Sequence, residues 1–77
     1  MYSIGDLIIF KDLLDLQPYT GIITDIIKCN DWLGGGYYII HWEYPEKWTG
    51  IADDKASFNL IKSWVNNKEA IVYPAIR

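Results

Sequence analysis

Thr20-Gly21-Ile22-Ile23-Thr24-Asp25-Ile26-Ile27-Lys28-Cys29 admits two readings. Ile22, Ile23, Ile26 and Ile27 recur at the spacing of an amphipathic helix, yet all four are β-branched, and Thr20, Gly21 and Thr24 lie among them. Branching at Cβ restricts χ1 against the preceding helical turn, and glycine adds backbone entropy to the cost of coiling. A strand accepts the same residues, with Gly21 as a bulge or a point of close backbone approach. The stretch is therefore read as a strand, which makes the chain mainly β.

Towards the N-terminus, Gly5-Asp6 is a turn signal before the apolar run Leu7-Ile8-Ile9-Phe10, read as the first strand. Lys11 to Pro18 follows as a long, partly packed loop with Leu13, Leu14 and Leu16 set between acids. The same leucines fit one helical turn, but the segment is too short for a stable helix.

Towards the C-terminus, Gly34-Gly35-Gly36 permits the positive φ of a hairpin turn, and Tyr37-Tyr38-Ile39-Ile40-His41-Trp42 reads as a strand apolar on both faces. Glu43 to Lys47, with Pro45, is a turn before a short fourth strand at Trp48-Thr49-Gly50-Ile51. From Asp54 the period changes: Phe58, Ile61, Trp64 and Val65 predict a helix of about three turns, capped by Asp53 or Asp54 and ended at Asn66-Asn67. Ala70-Ile71-Val72-Tyr73 is the last strand, stopped by Pro74.

With 77 residues the chain has room for one domain, residues 1–77, and for a core of limited size. Four Trp, six Tyr and two Phe supply bulk, since each aromatic side chain buries roughly 150–250 Å². Cys29 is the single cysteine, which excludes an internal disulfide and thiolate-pair zinc sites and favours a reducing, cytoplasmic setting. Met1 to Asp6 lacks the basic start and apolar region of a signal peptide, and no apolar run reaches the ~18 residues of a membrane span. A soluble, unexported protein with no membrane partner is expected.

Gly5-Asp6-Leu7-Ile8 opening the first strand, Gly21-Ile22-Ile23 the second, and Tyr38-Ile39-Ile40-His41-Trp42 in the third resemble the SH3-like small barrels. Tudor, chromo-barrel and KOW-type members carry G-D-x-V, G-x-V and Y-x-V-x-W strands at these places; the likeness runs from Ile4 to about Ala52. It implies a five-stranded SH3-like barrel with one short helix near the C-terminus. After Ile51 the chain departs from the pattern, with a longer amphipathic segment where such barrels have a brief helical turn. In its compact style the chain is also similar to small proteins of tailed bacteriophages, which would place it in a host cytoplasm.

Chemistry is sparse. His41 is the only histidine, between Ile40 and Trp42, and Glu43 shares its strand face, but no nucleophile accompanies the pair. Cys29 has one basic neighbour, Lys28, and reads as a small hydrophobe. Asp12/Asp15 and Asp53/Asp54 lack the alternating oxygen ligands of a calcium loop, and Gly34-Gly35-Gly36 leads into a strand rather than the helix of a phosphate loop. No enzyme, metal or cofactor is expected.

The aromatics carry the functional expectation. Tyr38, Trp42 and Tyr44 share a face by two-residue alternation, Trp32 lies across the glycine hairpin, and Trp48 is near in sequence, so these rings are the candidate binding residues. The plainer reading is that they are core. Ten acidic against seven basic residues give a net charge of −3. The expected role is thus a non-catalytic module that offers aromatic and acidic surface to a protein partner, a basic segment being the partner such a surface suits. Nucleic-acid binding through a KOW-like or OB-like barrel face has the stacking rings, but too few lysines. A structural homo-oligomer is the third class, since a marginal core and an unpaired strand edge favour assembly.

Overall fold

Thr24 explains why the isoleucine stretch mimics a helix. In the computed structural model, which describes residues 2–11, 18–30, 34–44 and 54–75, this stretch lies in an extended strand β2 (Tyr19–Lys28). β2 pairs antiparallel with β3 (Gly36–Tyr44), and the register shifts between Ile23 and Asp25: Ile23 faces Ile40, whereas Asp25 faces Ile39. Thr24 is the extra residue of a β-bulge, and its hydroxyl donates to the Ile39 carbonyl at 3.3 Å. An extra residue changes the phase of the alternation by one. Ile23 and Ile26, three apart as on a helix face, consequently both pack into the interior, while Ile22 and Ile27 take the outer face.

Among the described residues the remaining strands are β1 (Leu7–Phe10), β4 (Asp54–Ser57) and β5 (Ala70–Tyr73), and one helix, α1 (Phe58–Asn66), precedes β5. All five strands form one antiparallel sheet in the order β4-β3-β2-β1-β5, so the last strand returns to pair with the first. The expected strands at Leu7–Phe10, Thr20–Cys29, Tyr37–Trp42 and Ala70–Tyr73 are present, within a residue or two of the expected limits. The strand expected at Trp48–Ile51 and the leucines of the Lys11–Pro18 loop lie outside the described residues.

The segment from Asp54 needs correction. Asp54-Lys55-Ala56-Ser57 is a strand on β3, with Ala56 opposite Tyr38, and the helix begins only where its apolar period begins, at Phe58. Its cap is Ser57 rather than Asp53 or Asp54: Ser57 Oγ accepts from the Leu60 amide at 3.1 Å. At the far end Lys68, not an asparagine, takes the left-handed conformation (φ 61°). The amides of Lys68 and Glu69 bond back to the carbonyls of Val65 and Trp64, closing a Schellman turn.

Ile8, Ile23, Ile40 and Ile61 are fully buried and, with Tyr38, Ala56 and Ala70, draw every strand and α1 into one core. Both edge strands, β4 and β5, thereby reach the same interior. α1 contacts β5, β4 and β3, and its Ile61 is buried in the same core as Ala56 of β4 and Ala70 of β5.

The turn at Gly5-Asp6 ties the chain ends to this core. Gly5 has φ 94°, and Asp6 is buried, its carboxylate accepting from the Ser3 amide at 2.8 Å and from the Ala75 amide at 3.0 Å. Backbone bonds from Gly5 to the Ile23 carbonyl and from Ile23 to the Asp6 carbonyl add a third segment. The glycine triplet has φ of 87°, 92° and 151°, as the expected hairpin requires, and the Cys29 amide reaches the Gly35 carbonyl across it.

Candidate functional site

The inner face of the sheet carries an isoleucine middle and an aromatic group towards each end of the strands. On one side Trp64 lies against Phe10 (centroids 4.6 Å apart), Phe10 stacks on its cross-strand partner Tyr19 (6.1 Å), and Tyr19 meets the edge of Trp42 (6.3 Å). On the other side Tyr38 packs between Tyr2 (6.0 Å) and Phe58 (4.8 Å). Both groups use the edge and tilted geometries that ring quadrupoles favour.

Trp42 is positioned by a missing side chain. It pairs with Gly21, and a Cβ at Gly21 would come within 2.8 Å of the indole and 2.7 Å of Ile40, so the ring occupies space that only glycine leaves open. Its Nε1 donates to an Asp54 carboxylate oxygen at 3.3 Å. Trp42 and Tyr19 remain half-buried, and Asp54 and Glu43 are exposed. The result is a corner of two half-buried rings beside an exposed carboxylate.

The structure divides the expected binding residues. Trp42 belongs to this corner. Tyr38 stands four residues away along β3, about 13 Å at the rise of a strand, and is only 3 % exposed; its hydroxyl accepts from the Tyr2 amide at 3.3 Å. A second register shift sets Tyr44 opposite Thr20 and Trp42 opposite Gly21. Trp32 and Trp48 lie outside the described residues.

Sequence reasoning missed Tyr19 as the neighbour of Trp42, with Phe10 and Trp64 stacked beyond it, and assigned Asp54 to a helix cap. Tyr19 had a signal: it lies two residues before Gly21, hence on the same strand face. His41 is half-buried opposite Ile22 on the outer face, and Cys29 is half-buried at the end of β2. Among the described residues no three His, Cys, Asp or Glu side chains come together as a metal site, and no helix is long and apolar enough to cross a membrane. Comparison of the chain with protein-family models, curated proteins and solved structures finds no match.

Proposed function

We propose that the chain is a non-catalytic binding module of the SH3-like barrel type, and that it receives a cationic side chain of a protein partner at the Trp42 corner. The carrying observation is the half-buried Trp42–Tyr19 pair with Asp54 held against the indole edge. Ring faces attract ammonium or guanidinium groups by about 0.5–1 kcal/mol when exposed and about 2 kcal/mol when desolvated, and the adjoining carboxylate adds direct Coulomb attraction. The barrel reading is supported by the Gly5-Asp6 turn, by β5 returning to β1, and by α1 packing into the core shared by β4 and β5. A cytoplasmic location agrees with the unpaired Cys29.

Calorimetric titration with short arginine- or lysine-containing peptides at low salt tests this. Binding is expected for the basic peptides and not for neutral ones, weakened roughly tenfold by Asp54→Asn and abolished by Trp42→Ala. Asp54 is exposed, so its variant keeps the fold while removing the charge. No binding by any basic peptide, with no protein retained from a cell extract at micromolar bait, would reject the reading.

Strand β5 favours a second reading, homo-oligomerisation. Among the described strands it is a sheet edge without a charged residue, and Ile71 and Tyr73 are 43 % and 49 % exposed, whereas the opposite edge begins with Asp54 and Lys55. Light scattering after size exclusion is expected to show a concentration-dependent dimer that Ile71→Lys disperses. A strict monomer at high concentration would refute it.

A further inference from the structure

A cleft of about 420 Å³ opens beside α1, on the side of the molecule away from Trp42. Within its lining, Phe58, Asn59, Lys62 and Asn66 form one stripe of the helix, and Tyr2 and Tyr38 complete the floor. The three rings are tilted against one another, at 48° and 58°; Tyr38 is buried, and Tyr2 and Phe58 are half-buried on either side of it. The Tyr38 hydroxyl already accepts the Tyr2 amide, which leaves its own proton to donate.

The electrostatics of the cleft oppose those of the chain. Although the protein carries a net charge of −3, among the described residues no Asp or Glu lines this cleft, and the one charged group in its lining is the Lys62 ammonium. Lys62 is exposed and has no carboxylate partner among the described residues. Asn59 and Asn66 flank it by about one helical turn on each side and bring amide donors to the same rim.

A floor of rings below a rim of donors with one positive charge is complementary to a planar ring bearing one negative charge. A single ammonium, with no guanidinium fork beside it, balances a carboxylate better than a phosphate dianion. We infer that this cleft binds a small aromatic monocarboxylate, with its ring against the half-buried Tyr2 and Phe58 and its carboxylate on Lys62 and the flanking asparagine amides. This site is separate from the Trp42 corner, so the two readings stand or fall independently.

Phenylacetate, acetate and phenethylammonium, titrated into the ¹⁵N-labelled protein, supply the test. Phenylacetate is expected to shift the Asn59 and Asn66 side-chain amides and the Tyr2 amide saturably, with a Kd of ~1 mM, the range open to a ligand of this size. Acetate lacks the ring and phenethylammonium has the wrong charge, so neither shifts them. Lys62→Met keeps the aliphatic stem and the fold, and weakens phenylacetate by roughly tenfold. The inference is overturned by any of three results: no saturable shift at ~20 mM phenylacetate, equal binding of phenethylammonium, or unchanged affinity in the Lys62→Met variant.

Discussion

At Asp6 a single carboxylate joins segments 69 positions apart, taking one amide from Ser3 and one from Ala75 while its own backbone bonds to Ile23. Its burial leaves water no access to replace those bonds. Hydrogen bonds to charged groups contribute about 1.5–3 kcal/mol, and a buried donor left without an acceptor costs about 1–3 kcal/mol. Asp6→Ala is therefore expected to lose roughly 3 kcal/mol in urea denaturation, with the amides of Ser3 and Ala75 exchanging faster. Asp6→Asn retains an acceptor oxygen and is expected to lose less. A loss under about 0.5 kcal/mol in the alanine variant would show that Asp6 only fills space.

Within the elements, the bulge at Thr24 decides which isoleucines count. A regular strand that buries Ile23 would also bury Ile27, and a helix would bury Ile26 and Ile27 together. The bulged strand buries Ile26 against the core and turns Ile27 outward. Ile26→Ala is accordingly expected to cost about 2 kcal/mol and Ile27→Ala under about 1 kcal/mol, read as shifts in urea midpoint at constant slope. The reverse order would mean that β2 runs without the bulge. The same phase change explains why the stretch imitates a helix: one extra residue converts a two-residue period into a three-residue one locally. That signal was present in the sequence, but it could be assigned only once β3 was known to be the partner.

For the whole molecule, Ile61 is the residue that brings α1 into the core shared by the outer described strands, β4 and β5. It is fully buried on α1, against a core that includes Ala56 of β4 and Ala70 of β5. A chain of this size has about 4–12 kcal/mol of stability at ~0.05–0.15 kcal/mol per residue, and a buried Ile→Ala change costs about 2–5 kcal/mol. Ile61→Ala is expected to leave a marginal fold, and Ile61→Val, at about 1 kcal/mol, to lower Tm by ~4–8 °C. An unchanged Tm in the valine variant would mean that α1 merely lies on the sheet.

Short-range physics made much of this protein legible from its residues alone. β-branched runs marked β1, β2, β3 and β5, glycines marked the turns, and the period after Phe58 marked α1, because each depends on a residue and its near neighbours. Asp54–Ser57 was not legible: its two charges and two small residues have no strand character until Ala56 is set against Tyr38. The separation of Tyr38 from Trp42, the pairing of Trp42 with Gly21, Tyr19 and Asp54, and the cleft at Lys62 likewise depend on register between segments distant in the chain. Composition sets how many rings a chain has, whereas bulges and strand pairing set which end of the sheet each ring reaches.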